Sequence, residues 1–162
     1  MTNFAALAAA ISSASASRDR IRGYIRTGID EGMRLVAGGP EAPEQVERGY
    51  YVRPTVFSGT NQHTLARQEV FGPVNVMIPF EDEDDAVAIA NDSDYALAGG
   101  VWSADPERAR DVGRCIRTGR VRINGAPIDM RAPHGGLKLS GVGREMGRYG
   151  IEEYLEYQSL IS

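Results

Sequence analysis

The sequence predicts an α/β fold with a partial parallel sheet and helices packed on it. Three observations carry this. Residues 74–124 read strand, helix, strand, helix, strand, and strands joined through helices make right-handed crossovers that leave neighbouring strands parallel. Both helices in that run bring their own start signals, an acidic run at Glu81–Asp85 and Asp105-Pro106. The chain has 162 residues, 42% hydrophobic and 25% charged, which is the make-up of a globular protein able to bury a core.

The elements follow in order. Residues 1–16 are Ala/Ser-rich and read as a helix or a loose tail. The apolar stretch Phe4 to Ile11 has the look of an export signal, but Met1-Thr2-Asn3 lacks the basic residues such a signal carries, so no signal peptide is expected. Ser17 reads as an N-cap with Asp19 in the first turn. Ile21, Ile25, Ile29 and Val36, with Tyr24 and Met33, trace one helical face, and Gly38-Gly39-Pro40 stops it. After a polar loop at 40–49, Tyr51 to Phe57 reads as a strand with Pro54 marking an edge or a bend.

Asn61 is placed to cap a short helical turn running through Gln68. Gly72-Pro73 makes a turn, and Val74–Ile78 is a strand. The acidic run then starts a helix to about Asn91, Leu97–Trp102 is a strand, and Asp105–Arg117 is a helix with Gly119 just past its end. Val121–Asn124 is a strand, 125–150 is a Gly/Pro-rich loop, and Tyr154–Ile161 alternates well enough to be a final strand. The organisation read from this is a segment at 1–17, one domain portion at 18–150 and a terminal strand at 151–162, with no linker and no repeat.

Charge and composition exclude several function classes. A net charge of −4 and a pI near 5.2 give no basic field for nucleic acid, although seventeen of the eighteen basic residues are arginine. No apolar run reaches the ~20 residues a membrane span needs. One cysteine, Cys115, forbids an intrachain disulfide and suits a reducing cytoplasm. It reads as an ordinary helical residue at or near the core, with no histidine partner to activate it. His63 and His134 stand far apart and near no ligand cluster, so no metal is expected. The glycines of 125–150 have neither the P-loop nor the Gly-x-Gly-x-x-Gly spacing, which leaves a loop shaped by glycine's permissive dihedrals.

Three stretches together carry more than any of them alone. They are Pro54-Thr55-Val56-Phe57 with Glu69-Val70-Phe71-Gly72-Pro73; Ala90-Asn91, Tyr95, Leu97 and Val101-Trp102; and Asn124-Gly125 with Pro133 to Glu145. In order and spacing, from about Arg18 to the C-terminus, the chain resembles the later part of an aldehyde dehydrogenase. The resemblance implies a partial catalytic domain at 18–150 and a C-terminal oligomerisation strand at 151–162. It implies NAD or NADP as cofactor, with Glu69 accepting hydrogen bonds from the nicotinamide-ribose hydroxyls and Phe71 packing near the nicotinamide. Read without it, the two are a carboxylate and an aromatic at a strand entrance, serving solubility and core. A carboxylate suits the first task because its two oxygens can take two neighbouring hydroxyls.

The same resemblance puts Ser140-Gly141 near the substrate tunnel, and it makes His134 a departure, since the family usually has phenylalanine there. The family's nucleophilic cysteine, general-base glutamate, oxyanion-binding asparagine and Rossmann-type domain lie N-terminal to the stretch matched here. The expectation is therefore a chain whose family reaction is NAD(P)-dependent oxidation of an aldehyde to a carboxylic acid. By itself it should be inactive and bind the cofactor weakly or not at all. It should self-associate through its last strand, with no nucleic-acid or membrane partner. The alternative is a non-catalytic interaction module that pairs with itself or with a full-length relative.

Overall fold

A computed structural model describes residues 14–44, 46 and 48–162, with the backbone of Ala10 and Ile11. Most of the Ala/Ser-rich segment, with the apolar stretch from Phe4, lies outside the described residues. The chain forms two compact units, Met1–Pro79 and Phe80–Ser162. Nothing in the composition around Pro79 marks this division, which falls inside the portion that sequence reading assigns to one domain.

In the first unit, α1 (Ser15–Asp30) begins at Ala14, so Ser17 lies inside the helix rather than capping it. The helix also ends earlier than its apolar periodicity suggests. Gly32 sits at φ +80°, its N–H bonds to Ile29 O at 3.0 Å, and Met33 N–H bonds to Gly28 O at 3.0 Å. That is the Schellman arrangement, and the left-handed residue it requires is natural only for glycine. Beyond it, Arg34–Ala37 is strand β2, so Met33 and Val36 belong to a turn and a strand rather than to the helical face.

β1 (Ala10–Ile11) pairs antiparallel with β3 (Tyr51–Val52), and the expected strand breaks at Arg53-Pro54 before β4 (Thr55–Ser58). β2 lies antiparallel to β4, with Leu35 opposite Phe57. β5 (Val74–Met77) lies parallel to β4 on its other side, with Val76 opposite Phe57. The short α2 (Thr64–Arg67) has His63, not Asn61, at its N-cap position. Ile21, Ile25, Met33, Val52, Phe57, Leu65 and Val70 close one core, in which Ile25 and Phe57 are fully buried. Each large side chain of this kind contributes roughly 1.5–3 kcal/mol by leaving water.

In the second unit, α3 (Glu83–Asn91) starts where the acidic run places it, with Asp82 accepting from Asp85 N–H at 2.9 Å. The expected strand at 97–102 is shorter, β7 (Gly99–Val101), and a further short strand that the sequence reading does not include, β6 (Tyr95–Ala96), precedes it. α4 (Pro106–Cys115) is capped by Asp105, whose carboxylate accepts from Glu107 and Arg108 N–H. It stops before Arg117 because the Asn91 side chain takes over its end: Asn91 Nδ2 donates to Cys115 O at 2.9 Å and Asn91 Oδ1 accepts from Arg117 N–H at 2.7 Å.

α4 carries the chain from β7 to β8 (Val121–Ile123), and the two strands are parallel, one of the two βαβ units the rhythm predicts; the other does not form, because β5 pairs with β4 and not with β7. β6 pairs antiparallel with β9 (Leu137–Lys138), and α5 (Gly147–Glu152) follows. Residues 154–161 form no strand in this structure; Leu160 is 90% and Ile161 93% exposed. Alternation makes a strand only where a second strand supplies the ladder, and no described strand pairs with this segment.

Candidate functional site

The segment that leads into β5 is held at both ends. Upstream, α2 is tied to the end of α1: Thr64 N–H donates to Glu31 Oε2 at 2.9 Å, and the Thr64 hydroxyl donates to Glu31 Oε1. These bonds, the hydroxyl's first, hold the Glu31 carboxyl below its ordinary range. Leu65, on the same turn, is buried in the core. Downstream, Thr55 N–H donates to Pro73 O at 2.8 Å where β4 begins.

Between these ties burial alternates along the chain. Glu69 faces solvent, Val70 enters the core at 8% exposure, and Phe71 stands out at 78%. Phe71 also adopts φ +51°. For a bulky residue the left-handed region costs about 1–2 kcal/mol, and strain of this kind collects at functional sites. Among the described residues no hydrogen bond or ion pair engages the Glu69 carboxylate, so both of its oxygens are open as acceptors. Glu69 and Phe71 are thus both exposed on the segment that leads into β5, a carboxylate and an uncovered ring two residues apart. That suits vicinal hydroxyls and an aromatic base at one end of a nucleotide.

The other sequence-singled residues lie in the second unit and act there as loop anchors. Asn124, at φ +48°, pairs its side-chain amide with the backbone of Ser103, accepting from N–H at 2.9 Å and donating to C=O at 3.0 Å. Lys138 Nζ donates to the carbonyls of Asn91, at 2.9 Å, and Ser93, which stabilises the negative end of α3. Ser140 Oγ accepts from Ala96 N–H at 2.9 Å. His134 is bridged to Glu145 by two backbone hydrogen bonds of 2.7 and 2.6 Å, and its Nδ1 lies 3.4 Å from an Arg120 nitrogen. It is a pinned loop residue.

The glycines there permit close approach. A Cβ on Gly119 would come within 1.6 Å of Gly135 O. Cys115, expected at or near the core, is exposed on α4 with its thiol 3.5 Å from Asp111 O. Among the described residues no group of three or more His, Cys, Asp or Glu side chains could hold a metal ion, and no helix is long and apolar enough to cross a membrane.

A sequence profile of the aldehyde dehydrogenase family matches residues 6–160. The chain belongs to that family. It is 48% identical, over 144 residues, to a 3-succinoylsemialdehyde-pyridine dehydrogenase of Pseudomonas, a match covering 88% of the chain and 30% of the relative. Its structure is similar to that of aldehyde dehydrogenase C of Pseudomonas syringae, solved with NAD+ and octanal, at a TM-score of 0.88 and 46% identity over 90% of this chain and 30% of that one. The Mycobacterium tuberculosis aldehyde dehydrogenase, solved with NAD+, matches at a TM-score of 0.84 and 46% identity over 87% of this chain and 29% of that one. The chain thus spans about 30% of the length of the relatives it matches.

Proposed function

We propose that this chain carries the nicotinamide-ribose edge of an NAD(P)-dependent aldehyde dehydrogenase, with Glu69 accepting from the ribose hydroxyls and Phe71 covering the nicotinamide side. The observation that carries the reading is the exposed pair on one rigidly tied segment, an unpartnered carboxylate next to a strained, uncovered aromatic. The solved relatives that contain NAD+ support the choice of cofactor type. NAD(P)+ held there would supply the hydride acceptor for aldehyde oxidation. This chain's residues would hold and orient it.

One charge-assisted contact is worth about 1.5–3 kcal/mol, and micromolar binding needs about 8 kcal/mol. Binding by this chain alone is therefore weaker than millimolar. The chain alone is also catalytically silent in this reading, because its one thiol, Cys115, is exposed on α4, where its hydrogen bond goes to the Asp111 carbonyl of its own helix. The cytoplasmic setting is part of the same proposal and rests on that unpaired thiol. The test is aldehyde-dependent reduction of NAD and NADP by the purified chain. No turnover is expected; turnover that disappears in Cys115→Ser would overturn the reading and make Cys115 a nucleophile.

A second reading, an interaction module that pairs with itself or with a full-length relative, is favoured by a separate observation. Tyr154, Leu160 and Ile161 are each at least 90% exposed in a segment with strand-like alternation that belongs to no described strand. The N–H groups of Tyr154 and Leu155 are taken by Ile151 O and Glu152 O, and the residues beyond them would gain a ladder by pairing with another strand. Light scattering should find a dimer or larger assembly that is lost when the chain ends at Gly150. A monomer at high concentration would end this reading, and assembly that survives the truncation would move the contact away from the tail.

A further inference from the structure

We infer that Ile21, on α1, is a positioning residue for the Glu69–Phe71 pair and acts through Gly72. This rests on reading that pair as the nicotinamide end, and it adds a residue that no motif singles out. Gly72 packs so closely on α1 that a Cβ built there would lie 2.7, 2.8 and 2.9 Å from Cδ1, Cγ1 and Cγ2 of Ile21. All three carbons beyond the Ile21 branch point would be hit, not only the far end of a flexible chain.

Ile21 has little room to yield. It is 3% exposed, it belongs to the same core as Val70, and a β-branched side chain on a helix is confined to one strongly preferred rotamer. Gly72 is not a position of positive φ, so glycine is needed there for space and not for backbone freedom. The residue before Gly72 is Phe71, at φ +51°, and the residue after it, Pro73, is fixed by Thr55. The depth to which Gly72 seats on Ile21 therefore sets how far Phe71 and Glu69 stand out from the unit.

The experiment is saturation-transfer NMR on the full chain with nicotinamide mononucleotide as probe, reading transfer to the nicotinamide ring protons. The wild-type chain should show transfer. Gly72→Ala should reduce it at least threefold, and adding Ile21→Ala, which removes the three carbons in the way, should restore it to within twofold of wild type. Met33→Ala, a deletion elsewhere in the same core, should leave it within twofold. If Gly72→Ala does not fold, Ile21→Val keeps the question open to measurement: removing Cδ1 alone should change the transfer at least twofold.

Undiminished transfer in Gly72→Ala, unchanged transfer in Ile21→Val, failure of the double variant to restore the signal, or an equal loss in Met33→Ala would each overturn the inference. Absence of transfer in the wild-type chain would instead overturn the cofactor reading on which it rests.

Discussion

The two units are close to equal in length and differ in what they bury. The first closes seven apolar side chains into a core, among them Ile25 and Phe57 at 0% exposure. In the second, the buried hydrophobic residues among those described are Ala96 and Ala109, while Phe80 is 62% and Trp102 71% exposed. Its α3 buries no residue at all. Phe80, Val87, Ala90, Trp102, Val112 and Ile116 line an open, largely apolar groove of about 570 Å³.

The lesson is that secondary structure and core are separable. The second unit is well capped and clamped by local polar contacts, and the first owes its form to packing. The candidate site stands on the packed unit, which is where a side chain can be held to a fixed geometry.

The largest expected effect tests this directly. Phe57→Ala should lower stability by about 3–5 kcal/mol in urea unfolding, because it empties a fully buried site. Trp102→Ala, at 71% exposure, should cost under about 1 kcal/mol despite removing a larger ring. Similar losses in the two variants would break the comparison.

A middle-sized effect lies in the caps of the second unit. Asp105→Ala leaves Glu107 and Arg108 N–H without their acceptor and should cost about 0.5–2 kcal/mol, read as a lower melting temperature, while Asp105→Asn should keep most of it.

The smallest effect is a pH dependence in the first unit. The hydrogen bonds from Thr64 depress the Glu31 carboxyl, so its contribution is in place above the ordinary value of 4.5 and is lost as pH falls through the lower folded-state value. Removing the hydroxyl in Thr64→Val should bring the Glu31 titration, followed by carboxyl NMR, back toward 4.5. An unmoved titration would show that the hydroxyl is not the main cause.

How far the sequence could be read follows the same division. The starts of α3 and α4 were legible because a cap is local: Asp82 and Asp105-Pro106 act on N–H groups two or three residues away. The end of α1 was misread because two glycine signals compete. Gly32 makes the turn, yet the apolar spacing runs on through Met33 and Val36 and points to Gly38. Residues 154–161 alternate in sequence, yet alternation alone makes no strand, and no described strand pairs with them. Glu69 and Phe71 were legible only through a motif shared with the family. The seat of Gly72 on Ile21 was not, because no periodicity links a loop to a helix so distant in sequence.

The most direct test of the account is an amide-shift map of the chain titrated with nicotinamide mononucleotide above millimolar concentration. The account predicts shifts centred on the amides of Glu69, Val70, Phe71 and Gly72, with no saturation below millimolar and a strong reduction in Glu69→Ala. Shifts confined to other segments, or micromolar saturation, would contradict it.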